Sequence, residues 1–147
     1  MIVGFTGTQH GLTSLQREAL RQYLTALRMR EFHHGDCIGA DAVAHWMIVH
    51  KVDVIIHPSD SNEKRAFCKG AVRILEPRPP LVRNTDIVKA IDRFGHLVGC
   101  PKNNFEEIRS GTWATIRTAW RLGKKVTIIW PDGRVQQDAR QKTITSD

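Results

Sequence analysis

The chain has 147 residues, 41% of them hydrophobic, and a formal net charge of +7 from 22 Lys and Arg against 15 Asp and Glu. A chain of this length builds one domain around one core, and its apolar content excludes wholesale disorder. No run is long enough to span a membrane, so a cytoplasmic protein without a membrane partner is expected. The positive balance favours anionic partners: nucleotides, nucleic acid or other phosphates.

Residues 2–6 read as a buried first strand and not as a secretory leader. The polar loop Gly7-Thr8-Gln9-His10-Gly11 follows. Thr13 has the character of an N-cap, with Gln16 as its capping-box partner. The helix runs to about Arg28 with Leu15, Leu20, Leu24 and Leu27 on one apolar face. A second strand at about 30–33 leads through His34-Gly35-Asp36-Cys37-Ile38-Gly39 into a helix that turns Ala40, Val43, Ala44, Met47 and Ile48 inward. Residues 52–57 form a third strand that Pro58 stops. Residues 59–70 are a polar loop or short helix, and 71–75 an extra strand. Leu81 to Asp92 fits a helix with Leu81, Ile87, Val88 and Ile91 inward, followed by a strand at 95–100 and a polar loop at 101–110. Thr112 to Leu122 is a helix closed by Gly123, and 126–130 is the last strand, left through Pro131-Asp132-Gly133. The domain is therefore expected over 1–131, with 132–147 a weakly ordered polar tail.

Strands alternate with helices and are apolar along their length, which is the pattern of a parallel sheet covered on both faces. The expected fold is a single doubly wound α/β domain of about five or six strands. Ligands of such sheets sit at the carboxyl ends of the strands. Three loops enter helices there: the one carrying Gly7, Thr8 and Gln9; the one carrying Gly35, Asp36, Cys37 and Gly39; and Arg109-Ser110-Gly111-Thr112. Glycine lets the backbone approach a ligand closely, and backbone N–H groups at helix starts suit a phosphate or another compact anion. None of the loops is a Walker loop or the full dinucleotide fingerprint. Arg83-Asn84 opens the third helix toward the same face. Arg109 and Arg117 flank the last loop, where they read either as phosphate clamps or, for Arg117, as part of a solvated helix face. For Asp36 two readings stand, a helix cap or a hydrogen bond to a ribose hydroxyl or base. For Asp41 the reading is favourable placement in a helix's first turn.

Cys37, Cys68 and Cys100 form neither a disulfide framework nor a zinc pattern. They read as reduced, mostly buried thiols, and Cys37, near a helix start, is the position where a thiol pKa can be lowered. The seven histidines give no metal constellation, since His33 and His34 point to opposite faces of a strand and His45 and His50 do not share a helix face. No cofactor is called for. Trp46, Trp113, Trp120 and Trp130 read as core or rim aromatics; for Trp113, which directly follows the third loop, stacking on a base is the alternative reading.

The stretch from Gly35 to His45 resembles the Gly-Gly-x-x-Gly-Ile-Asp-x-x-Ala-His segment of the DNA-processing protein A family. Ser110 to Ala119 resembles that family's Ser-Gly-Ser/Thr-x-x-Thr-x-x-x-Ala segment, Arg83-Asn84 its Arg-Asn pair, and Ile2 to Thr8 its first strand and loop. The wider group is the SLOG superfamily, which includes the lonely-guy phosphoribohydrolases. This resemblance implies a Rossmann-like domain that binds a nucleotide or nucleic acid at the glycine loops, and a homo-oligomer. Lonely-guy enzymes carry a Glu shortly after their Gly-Thr, whereas Gly111-Thr112 is followed here by Trp113-Ala114-Thr115. The chain also lacks the accessory domains of the DNA-processing proteins.

Three functions compete. The first is binding of a nucleotide or nucleotide-derived small molecule, as sensor or sponge. The second is hydrolysis of a nucleotide's N-glycosidic bond, with Asp36 as the catalytic carboxylate and Glu106 or Glu107 behind it. The third is binding of single-stranded nucleic acid, recognisable by its steep salt dependence.

Overall fold

The computed structural model describes residues 1–141. It is a single α/β domain with seven strands: β1 (Ile2–Gly7), β2 (Glu31–His34), β3 (Asp53–Ile56), β4 (Arg73–Ile74), β5 (Leu97–Cys100), β6 (Val126–Ile129) and β7 (Val135–Gln136). Four helices connect them: α1 (Ser14–Ala26), α2 (Ala40–Ile48), α3 (Pro80–Ala90) and α4 (Gly111–Arg121). The strands form one sheet in the order β4-β3-β2-β1-β5-β6-β7, parallel except for β7 against β6. The extra strand expected at 71–75 is present as β4, and the count exceeds the expected five or six because β7 adds a two-residue strand at the other edge.

Period-two alternation sends β-strand residues to two cores. Val3, Phe5, Phe32, Val54 and Ile56 pack with Leu20 and Leu24 of α1 and Ala40, Ala44 and Ile48 of α2. On the other face, Leu97, Val126 and Ile128 pack with Val88 of α3 and with Trp113, Ile116 and Ala119 of α4. Gly4 and Gly99 let these helices lie close: a Cβ on Gly4 would stand 3.0 Å from Ile91, and one on Gly99 2.9 Å from Ile116.

Two residues expected inside the helical faces are outside. Leu15 is 65% exposed and Leu81 70% exposed. Both lie in the first turn of a helix. In α2 the inward face is Ala40, Asp41, Ala44, His45 and Ile48, so polar groups occupy places expected for Val43 and Met47. The segment expected to be a loose tail begins with structure. Val135 pairs with Ile129, the Ala139 amide donates to Val126 O at 2.8 Å, and buried Ala139 joins the second core. The rest of that expected tail, 142–147, lies outside the described residues. No helix among the described residues is long and apolar enough to cross a membrane.

The chain leaves β1 through α1 toward β2 on one side. It leaves β5, the neighbour on the other side, through α4 toward β6. The two connections diverge, and a crevice opens at the carboxyl ends of β1 and β5.

Candidate ligand-binding site

The first two glycine loops are fastened to each other through backbone. Thr8 N donates to Cys100 O at 3.0 Å, and Ala40 N donates to Thr8 O at 2.9 Å. Gly39 makes this approach feasible: its φ is 87°, and a Cβ there would lie 2.5 Å from Thr8 O. Thr8 Oγ1 accepts from His10 N at 3.1 Å and turns the first loop at its tip.

Two buried charges shape the second loop. Asp41 Oδ2 accepts from Gly35 N and Cys37 N, each at 3.2 Å. Arg83 Nη1 donates to Gly35 O at 2.7 Å and to His57 O at 3.2 Å, while its Nε donates to Asn84 Oδ1 at 2.8 Å. Asp36 holds a left-handed backbone, φ 57°, which an aspartate tolerates better than most residues. Its side chain has no exposed surface. Oδ2 accepts from Arg65 Nε at 2.9 Å and Oδ1 from Cys68 N at 3.0 Å. Asp36 thus anchors the 59–68 segment as one wall of the site. Each oxygen already has a protein donor, which favours this anchoring role over the expected roles as ribose ligand and catalytic carboxylate.

At the third loop Ser110 caps α4, its Oγ accepting from Trp113 N at 3.3 Å, and Gly111 and Thr112 begin the helix. Arg117 is not a phosphate clamp. Its Nη1 donates to Glu106 Oε2 at 2.8 Å and its Nη2 to Ile108 O at 3.0 Å, which braces the loop from behind.

The three loops and the 59–65 wall enclose a cavity of about 540 Å³. Among the residues expected at the site, Gly7, Thr8, Gln9, Gly35, Asp36, Cys37, Arg83 and Asn84 line it, as do Arg109, Ser110, Gly111, Thr112 and Glu107. Gly39 and Glu106 do not; the first is a seat between loops and the second is spent on Arg117. Trp113 is also absent from the lining. It is 2% exposed and packs against Trp120 and Trp130, so it offers no face to a base. The lining adds Ser59, Ser61, Glu63, Lys64 and Arg65 from the wall, Pro80 and Leu81 from α3, His10, Asp41 and Lys102. Nothing in the sequence of 59–65 marks it as part of a site. Only the Cys37–Arg65 bridge and the Asp36 contacts bring it there.

Lys64, Lys102 and Arg109 are exposed and, among the described residues, take part in no ion pair. The Cys37 thiol is not activated: burial, then the Asp41 charge, pushes its pKa up to about 11. Asp41 is pushed up to about 6 by burial, against the lowering effect of its backbone donors and Arg83.

Behind the loops lies a histidine relay with fixed tautomers. Asp36 N donates to His34 Nδ1 at 2.9 Å, so the His34 proton sits on Nε2 and is directed to His45 Nδ1 at 3.0 Å. The His45 proton is then on Nε2 and reaches Lys69 O at 2.6 Å. Every member is satisfied in the neutral form. Among the described residues no group of three or more His, Cys, Asp or Glu is placed to hold a metal ion.

No protein family, curated protein or solved structure matches this chain in comparison.

Proposed function

We propose that this chain binds a nucleotide or nucleotide-derived small molecule at the cavity, as a sensor or sponge. One observation carries the reading: glycine loops far apart in the sequence line a single cavity at the point where the strand connections diverge. Main-chain donors of the first loop, the α4 N-terminus, and the free cations Lys102 and Arg109 favour a phosphate there. A volume of about 540 Å³ lies inside the range of small-ligand pockets, roughly 300–1,000 Å³. The strand order also suits the Rossmann-like reading, with β3-β2-β1-β5-β6 as its parallel centre, and so agrees with the SLOG resemblance.

For the N-glycosidase reading, Asp36 lines the cavity with each oxygen already accepting from Arg65 or Cys68, and Glu107 lines it with Oε1 accepting from Asn103 Nδ2 at 3.0 Å. A single panel separates the readings. The protein is incubated with nucleotides, cyclic nucleotides and nucleotide-derived signals and examined by native mass spectrometry. The expected result is a retained, intact ligand. Release of free base makes the protein a hydrolase and Glu107 the first residue to replace. Absence of both outcomes, with binding of single-stranded DNA that falls steeply with salt, overturns the small-ligand reading.

A further inference from the structure

We propose that Asp41 is the residue through which the cavity reads a sugar hydroxyl, so that the site selects ribose over deoxyribose. The inference rests on the nucleotide reading above and specifies it. Asp41 lines the cavity at 4% exposure, and its Oδ2 is occupied by the amides of Gly35 and Cys37. Its Oδ1 is buried and has no hydrogen-bond partner among the described residues. Buried polar atoms are almost always satisfied, and a carboxylate oxygen without a donor carries a desolvation cost that a ligand donor removes. The other lining carboxylates do not share this property. Asp36 has both oxygens engaged, Glu107 accepts from Asn103, and Glu63 is exposed to water.

The chemistry around Asp41 selects the kind of donor. The Arg83 guanidinium, held in the same loop, already supplies positive charge beside it. A neutral hydroxyl therefore suits the position better than an ammonium group. The lining also offers little stacking face for a base: its aromatic rings are Phe5, 1% exposed, and the exposed His10. With the phosphate at the α4 N-terminus and no buried ring free to stack on a base, the sugar is the part of a nucleotide that suits Asp41. A carboxylate that accepts from a ribose hydroxyl is a common device of nucleotide sites, but here it stands in the first turn of α2.

The test compares the four ribonucleoside 5′-monophosphates with their 2′-deoxy and 2′,3′-dideoxy counterparts by titration calorimetry, on the wild-type chain and on Asp41→Asn. A hydrogen bond to a charged acceptor sets the expected discrimination at about 10- to 100-fold in favour of ribose. In Asp41→Asn the ribonucleotide affinity should fall to that of the dideoxy form. Equal wild-type affinity for all three sugars overturns the proposal while leaving the nucleotide reading intact. No binding of any probe overturns both. Equal loss of every sugar form in a folded Asp41→Asn variant also overturns it, by making Asp41 a support for the loop alone. Should that variant not fold, the wild-type comparison decides by itself.

Discussion

Gly39 and Gly111 both stand at the start of a helix beside the cavity, yet they serve opposite ends. Gly39 has φ 87° and no room, with Thr8 O 2.5 Å and Gln9 C 2.7 Å from the position of a Cβ. Gly39→Ala therefore combines a disfavoured backbone with overpacking and should cost about 2–3 kcal/mol. Among the described residues Gly111 meets nothing within 4 Å; it lines the cavity and begins α4. Gly111→Ala should leave stability unchanged or raise it by up to ~1 kcal/mol, while its methyl weakens whatever ligand the wild-type chain retains. Urea unfolding of the two variants, with ligand retention measured beside it, checks the contrast; equal destabilisation would show that the loops do not pack as described. The sequence told that these glycines flank helices but not which one faces a neighbour and which a void. Asp36 shows the same limit. Its position in the loop was legible, whereas its commitment to Arg65 and Cys68 depends on a segment about thirty residues later in the chain.

At the scale of elements, α1 shows what local pattern can and cannot deliver. Thr13 is the N-cap its residue type suggests, accepting from Gln16 N at 3.0 Å. Gln16, however, does not complete a capping box. It is 1% exposed, and its Nε2 donates to Pro101 O at 2.9 Å and to Ile129 O at 2.8 Å. One amide thus satisfies the carbonyls at the ends of two neighbouring strands and fixes α1 across them. Gln16→Leu keeps the bulk and removes both donors, leaving two carbonyls unpaired in the interior, and should cost about 2–4 kcal/mol. Chemical denaturation measures it, and a cost below half a kcal/mol would mean that water reaches those carbonyls. The long strands and all four helices were legible because apolar runs and helical spacing extend over several residues. The edge strands β4 and β7 were poorly so. Each has two residues, all exposed, and is defined by pairing with a neighbour and not by an apolar pattern of its own. The same reason hid the polar inward face of α2. Asp41 Oδ2 and both ring nitrogens of His45 are buried there with partners from the preceding loop, β2 and Lys69.

On the whole molecule, the buried titratable groups set a pH dependence whose sign follows from their directions. Burial, then the neighbouring His45, lowers His34 to about 3; burial, then His33, lowers His57 to about 3. His33 and His96 are lowered in the same direction, again chiefly by burial. In the unfolded chain an imidazole takes a proton near pH 6.5, so below that value the unfolded state binds protons that the folded state refuses. The contribution of His34 and His57 is fully present above about pH 6.5 and is lost as pH falls, at about 1.4 kcal/mol per unit for each. Asp41 acts in the opposite sense. With its carboxyl raised to about 6 chiefly by burial, the folded state takes a proton that the unfolded aspartate takes only near 3.9. Between those values it returns about 1.4 kcal/mol per unit as pH falls. Two histidines against one aspartate leave a net loss of about 1.4 kcal/mol per pH unit between pH 6 and 4. The steeper stretch lies between 6.5 and 6, before Asp41 begins to compensate. For a domain with a total stability of about 5–15 kcal/mol, a descent from pH 6.5 to 4.5 therefore removes a large fraction. Urea midpoints at pH 7.5, 6.5, 5.5 and 4.5 should fall from 6.5 downward at nearly constant m-value. A midpoint that holds or rises on acidification would mean that the histidine pairs accept protons in the folded state. The neutral relay that ties the second loop to Lys69 would then be the wrong protonation state for this fold.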